Sequence, residues 1–223
     1  MPTLLIVGTD TGVGKTALTL GLVSYWQQYR KPTVGLMKLL ACGVEDIETY
    51  QRLLTLNQTT ALCPLVFEAP LAPPLAAAQA GTVVDLGRVW QGYQQLSQER
   101  EQVFLEGVGG LGCPLTADYT VGDLARDWRV PVVLVAPVRL GVVAQLVVNS
   151  HYARALGLSV AGIVLNQTQP VSAAMAADWA PVGLIENLCR LPVLGCLPYL
   201  VDWTAVSLAQ AVAGLDLEYL PGF

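Results

Sequence analysis

The stretch Gly8-Thr9-Asp10-Thr11-Gly12-Val13-Gly14-Lys15-Thr16 packs glycines, an amine and hydroxyls into nine consecutive positions. Glycines let a backbone curl around an anion without a Cβ in the way, so that successive N–H groups point inward as donors. In such a loop the lysine, here Lys15, reaches the β- and γ-phosphates of a nucleoside triphosphate, and the following hydroxyl, here Thr16, ligates Mg2+. The apolar run Thr3 to Val7 supplies a strand before the loop. A helix beginning near Lys15 adds its dipole and unpaired first-turn amides to the anion site. The usual pattern places a glycine five positions before the second one. That position is Thr9 here, and Gly8 stands one place early. A strand, a turn and a helix with no ligand is the alternative reading of the same residues.

Three groups at strand ends and one at a helix start could act with the loop. Lys38 closes the second apolar run, where a cationic head can face phosphates; a solvated surface lysine is the plainer reading. Glu106 follows Val103-Phe104-Leu105 and precedes Gly107-Val108-Gly109-Gly110. A carboxylate there suits Mg2+, which prefers hard oxygen donors beside phosphate oxygens, or it is an N-cap or turn residue. Asp46 lies where the chain enters a helix, and either completes the Mg2+ shell or favours the helix N-terminus. Asn166 ends the fifth run; its amide can pair with a purine edge or simply form a turn.

These groups need a scaffold that brings strand ends together. Short β-branched runs at Leu4 to Val7, Thr33 to Met37, Val103 to Leu105, Val132 to Ala136, Val160 to Leu165 and Val193 to Leu197 read as buried parallel strands. Helical patterns fall between them at Ala17 to Tyr29, Leu86 to Arg100, Val142 to Leu156 and Ala173 to Leu188. Thr120 with Asp123 makes a capping-box variant that starts a helix through Trp128. The alternation predicts a single α/β domain over residues 1–223, a doubly wound parallel sheet of about six to seven strands with helices on both faces and ligands at the carboxyl strand ends. Cys63 to Val84, with Pro64, Pro70, Pro73 and Pro74, reads as a connection across the mouth of the site. The tail from Leu208 reads as one short helix followed by fraying around Pro221 and Gly222.

The totals exclude several classes. The formal charge of −5 and the lack of a Lys/Arg cluster argue against nucleic acid. Five cysteines without a Cys-x-x-Cys pair suggest neither a disulfide framework nor a zinc site, and they read as a reduced, cytoplasmic set of small core residues. His151 is the only histidine, which removes His-based triads; it reads as a helix-surface residue. Val130 to Val148 is apolar, but Pro131, Pro137 and Arg139 interrupt it, so a strand, loop and helix fit better than a membrane span.

Taken together, the Gly8 to Thr16 loop, Lys38-Leu39-Leu40-Ala41-Cys42-Gly43, Glu106-Gly107-Val108-Gly109-Gly110 and Ala161-Gly162-Ile163-Val164-Leu165-Asn166 resemble the dethiobiotin synthetase family. The order and spacing match from Thr3 to about Leu200. Asp10 stands where the related partitioning ATPases carry a second lysine, which points away from them. The resemblance implies ATP-dependent closure of a ureido ring from 7,8-diaminononanoate and CO2, with ATP as co-substrate and Mg2+ as metal. It implies catalytic roles for Lys15, Lys38 and Thr11. ATP binding is implied for Gly12 to Thr16 including Val13, for Ala17, Asp46, Glu106, Gly107, Val108, Gly109, Asn166 and Gln167, and for the loop Pro198-Tyr199-Leu200. Thr16, Asp46 and Glu106 would hold Mg2+. Lys38 and Cys42, with Gly141 and Val142 supplied by a partner in a homodimer, would bind the diamine. Cys42 takes a place usually held by serine, and Leu39 one usually held by proline. Two other readings remain: a regulatory or positioning P-loop ATPase, and a nucleotide-binding relative with lost or altered substrate specificity.

Overall fold

The computed structural model describes residues 2–30, 33–43, 45–54 and 59–223. In chain order they form β1 (Thr3–Gly8), α1 (Lys15–Tyr25), β2 (Val34–Lys38), β3 (Ala41–Cys42), α2 (Glu45–Leu53), β4 (Thr59–Leu62), β5 (Val66–Phe67), α3 (Pro73–Gln79) and α4 (Leu86–Glu99). Then follow β6 (Gln102–Gly110), α5 (Val121–Trp128), β7 (Val132–Pro137), α6 (Val142–Ala155), β8 (Val160–Asn166), α7 (Ala173–Trp179), α8 (Val182–Cys189), β9 (Val193–Leu197) and α9 (Ala205–Ala213). Seven strands make one sheet in the order β4-β2-β6-β1-β7-β8-β9, every neighbouring pair parallel. After β1 the chain builds outward on one side, and after β6 it crosses to build the other. The reversal leaves a crevice at the carboxyl ends of β1 and β6, where an open α/β sheet takes its ligands.

Strand alternation divides the core in two. Leu4 and Ile6 turn to one face with Leu18, Leu22 and Val212, from α1 and α9. Leu5 and Val7 turn to the other with Val89, Leu124 and Leu146, from α4, α5 and α6. All these side chains are at most 1% exposed, and each contributes about 1.5–3 kcal/mol by leaving water. Helix α1 is buried almost all round because α9 packs across it; a Cβ at Gly21 would come within 2.3 Å of Val212.

Several local expectations need correction. The helix expected over Ala173 to Leu188 is two, because Pro181 stands between α7 and α8 and cannot donate a helical hydrogen bond. Helix α1 gives way to a π-helical turn at Trp26–Arg30. Glu106 is neither a cap nor a turn residue: β6 runs on through Gly110, paired with Gly8 past a register shift, so Glu106 sits mid-strand. Strand β4, absent from the sequence reading, pairs with β2 at the sheet edge. The tail does not fray; Phe223 packs edge-on against Trp26 with ring centroids 5.0 Å apart. Among the cysteines only Cys189 is fully buried, and Cys196 is exposed.

The capping box holds, with Thr120 and Asp123 each bonding the other's backbone N–H. His151 lies exposed on α6. Among the described residues no helix is long and apolar enough to cross a membrane.

Candidate functional site

Strand register assembles the charged centre. Lys38 and Glu106 are direct neighbours on parallel β2 and β6, so their side chains leave the sheet on the same face. Lys38 Nζ donates to Glu106 Oε1 at 2.8 Å and to Asp46 Oδ2 at 2.5 Å. Asp46 arrives from the first turn of α2, whose three acidic residues suit a helix N-terminus. Thr16 Oγ1, in the first turn of α1, lies 2.8 Å from Asp46 Oδ1 and 2.9 Å from Glu106 Oε1. A fifth member, Tyr50, donates its hydroxyl to Glu106 Oε2. Sequence reasoning missed Tyr50; its signal was its place four residues after Asp46, one helical turn along the same face.

Electrostatics fix the protonation states. Burial opposes charge on Lys38, whose side chain is 4% exposed, but the carboxylates of Glu106 and Asp46 outweigh it and hold the ammonium well above the usual lysine range. Burial likewise opposes charge on Asp46, and Lys38 overturns that and keeps its carboxyl below the usual range. Lys15 is lowered, chiefly by burial, with the acids pulling the other way. Burial and the Glu106 charge push the Tyr50 phenol up. Burial also raises the Cys42 thiol to about 11.

The Gly8 to Thr16 loop closes around these groups. Gly14, at φ 100°, precedes α1, and a Cβ there would lie 1.9 Å from Asn166 Nδ2. The position therefore demands glycine on two counts. Asn166 Nδ2 donates to the Val13 carbonyl at 2.9 Å, tying the end of β8 to the loop. Lys15 Nζ donates to the Asp10 carbonyl at 3.2 Å, across the loop's own curve.

Two cavities meet at this loop. The first, about 340 Å³, is walled by Asn166, Gln167, Pro198, Tyr199, Leu200 and Trp203, with Ala17 at its floor. The second, about 540 Å³, contains Thr11, Lys15, Lys38, Cys42, Val108 and Gly109 and is bounded by Pro70 to Pro73. The connection expected to span the mouth does so through Pro70 to Pro73, although it carries β5 and α3 as well. Gly12, Gly14, Thr16, Glu45 and Asp46 border both cavities.

Some sequence-predicted residues lie elsewhere. Val108 and Gly109, grouped with the nucleotide, line the second cavity together with Lys15. Gly107 lines neither; it is buried within β6. Gly141 and Val142 also line neither: Gly141 caps α6, the Val142 side chain is fully buried in the core, and its N–H donates to the Arg139 carbonyl. Val142 therefore has no side chain to offer a ligand. Their neighbour Arg139 does approach the loop, 3.5 Å from Asp10.

Comparison with known proteins agrees with this arrangement. A family model described as an AAA domain matches residues 2–207. The ATP-dependent dethiobiotin synthetase BioD of Gloeobacter violaceus is 52% identical over 98% of this chain and 95% of its own length. That of Gloeothece citriformis is 48% identical, covering 99% of both chains. Among solved structures, the MinC:MinD cell division complex of Aquifex aeolicus aligns with a TM-score of 0.58 at 11% identity, covering 95% of this chain and 86% of the other. A ParA family ATPase from Chlorobium tepidum aligns with a TM-score of 0.56 at 12% identity, covering 98% and 95%. Those two likenesses are of fold only. The full-length identities decide kinship, and the chain belongs to the ATP-dependent dethiobiotin synthetase family.

Proposed function

We propose that this chain closes the ureido ring of dethiobiotin from 7,8-diaminononanoate, CO2 and ATP in biotin synthesis, residues 1–223 acting as one synthetase domain, in the cytoplasm and as a homodimer. One substrate amine adds to CO2 to give a carbamate and releases a proton. A carbamate oxygen attacks the γ-phosphorus and ADP leaves; the neighbouring amine then attacks the carbonyl of the mixed anhydride and expels phosphate. Both partners in the phosphoryl transfer are anionic, so positioning and charge compensation carry most of the catalysis.

The observation that carries this reading is the shared wall of the two cavities, at which Lys15 and Lys38 both stand on the second cavity's side. ATP fits with its base in the first cavity against Tyr199, Leu200, Asn166 and Gln167, and its phosphates along Gly12 to Thr16. The diamine fits the second, near Thr11, Lys38 and Cys42. Lys38 supplies a cation beside the carbamate and the γ-phosphate. Lys15 supplies a second cation to the transferring phosphate. Gly141 of a partner would contribute through its backbone alone, and Val142, whose N–H already donates to Arg139, only by shaping that turn.

Thr16, Asp46 and Glu106 form an all-oxygen set with two carboxylates, which is the donor chemistry Mg2+ takes when phosphates complete its shell. The Lys38 ammonium between the two acids marks the same spot as one that accepts positive charge. Mg2+ held there would offset charge on the β- and γ-phosphates.

The test is direct: protein with ATP, Mg2+, bicarbonate and 7,8-diaminononanoate should release one phosphate for each cyclic urea formed. Phosphate release indifferent to the diamine would replace this reading with that of a positioning ATPase.

A further inference from the structure

Tyr50 belongs to no phosphate-binding motif, yet its hydroxyl is committed to the buried carboxylate at the centre of the site. Glu106 is thereby divided. Its Oε2 accepts from Tyr50, while Oε1 accepts from Thr16 at 2.9 Å and Lys38 at 2.8 Å. Tyr50 is 3% exposed and Glu106 is 0% exposed, so no solvent competes for either oxygen. A carboxylate oxygen that lost its donor in such a place would be left unpaired, which is costly. Asp46 and Tyr50 lie four residues apart on α2, so one helix face delivers both a second carboxylate and the clamp on the first.

We propose that Tyr50 is a positioning residue that restricts Glu106 to one available oxygen and so biases the Thr16–Asp46–Glu106 site toward Mg2+ over Ca2+. Mg2+ demands a compact octahedron, whereas Ca2+ takes six to eight oxygens and accepts both oxygens of one carboxylate. Removing the phenol O–H frees Oε2 and lets the carboxylate turn or chelate. The larger ion gains from that freedom; the smaller one loses a fixed ligand. The inference rests on reading Thr16, Asp46 and Glu106 as metal ligands.

The experiment measures binding and not turnover, so it stands apart from whether the cyclic urea is made. Mg2+ and Ca2+ are titrated calorimetrically into the parent chain, Tyr50→Phe and Glu106→Gln, each saturated with a non-hydrolysable ATP analogue. Tyr50→Phe is expected to weaken Mg2+ about tenfold and leave Ca2+ equal or tighter, so that the Mg2+ to Ca2+ preference falls at least tenfold; Glu106→Gln weakens both. An unchanged preference in Tyr50→Phe overturns the role of Tyr50 while leaving the metal site intact. Unchanged Mg2+ affinity in Glu106→Gln overturns the metal reading and this inference with it. Should Tyr50→Phe fail to fold, a crystal structure of the parent with the analogue and Mg2+ decides. Glu106 Oε2 on the Tyr50 hydroxyl with Oε1 on the metal supports the proposal, and both oxygens on the metal overturn it.

Discussion

The two cavities that meet at the Gly8 to Thr16 loop differ in what lines them. The first joins the loop, Glu45, Asp46 and Thr49 of α2 and Asn166 to Thr168 after β8 to an apolar and aromatic wall from the segment after β9 and from α9. The second adds both lysines, Lys15 and Lys38, with Cys42, with Val108 and Gly109 of β6 and with the Pro70 to Pro73 connection. A triphosphate can be recognised by backbone amides presented in series, so a short motif suffices. A diamine must be held at defined distances from a reacting phosphate, and only tertiary structure brings the required groups together.

The sharpest way to break this contrast is to remove Lys38, which lines the second cavity and not the first. Lys38→Ala should cut kcat by about 10²–10³-fold, the loss typical of a preorganised charge-stabilising group, with ATP affinity within a few fold of the parent. Single-turnover phosphate release beside nucleotide titration measures both; an equal loss in the two would merge the cavities into one functional unit. Some loss of thermal stability accompanies it, because Glu106 loses a buried partner.

A second change strikes the loop that the two cavities share. Gly14→Ala forces a Cβ to within 1.9 Å of Asn166 Nδ2 at φ 100°, with strain of about 1–3 kcal/mol. ATP affinity should fall about tenfold, or roughly 1.4 kcal/mol, and more than the diamine KM changes. Equilibrium titration with the nucleotide checks it.

Acid sensitivity is the next effect in size. Asp46 is held below its ordinary value of 3.8, so its stabilisation is complete above that value and is lost as pH falls through the lower native one. Lys38 is raised above 10.5, so its share is complete below that value and is lost only in strong alkali. Between about pH 5 and pH 10 the pair contributes a constant amount. Thermal melts of Asp46→Asn should therefore show a shallower fall than the parent between pH 5 and pH 3; parallel curves would detach Asp46 from the network. Smallest is Cys42→Ser. The thiol, at about 11, is a neutral weak donor at pH 7, and a hydroxyl replaces it with little change, so the diamine KM should move by less than about threefold.

The same contrast explains what could be read from the chain. The loop, the strand ends at Lys38, Glu106 and Asn166, and the helix start at Asp46 were legible because each sits beside an apolar run whose pattern is local. Tyr50 was harder to find: its spacing from Asp46 puts it on the same helix face, but the local pattern does not say that its hydroxyl reaches a strand fifty-six residues away. Edge strand β4 carries too short a pattern in Thr59–Leu62 to declare itself, and its place is set by pairing with β2. Glu106 also read as a cap or turn residue because the glycines after it disfavour a strand in isolation; β6 nevertheless continues to Gly110, which pairs with Gly8 of β1. The docking of Phe223 on Trp26 is likewise a long-range contact.

Thr16 and Asp46 border both cavities, so a ligand in one lies against groups that also face the other. Wherever two ligands placed there couple, thermodynamic linkage makes the effect reciprocal: whatever factor the nucleotide applies to diamine affinity, the diamine returns to the nucleotide.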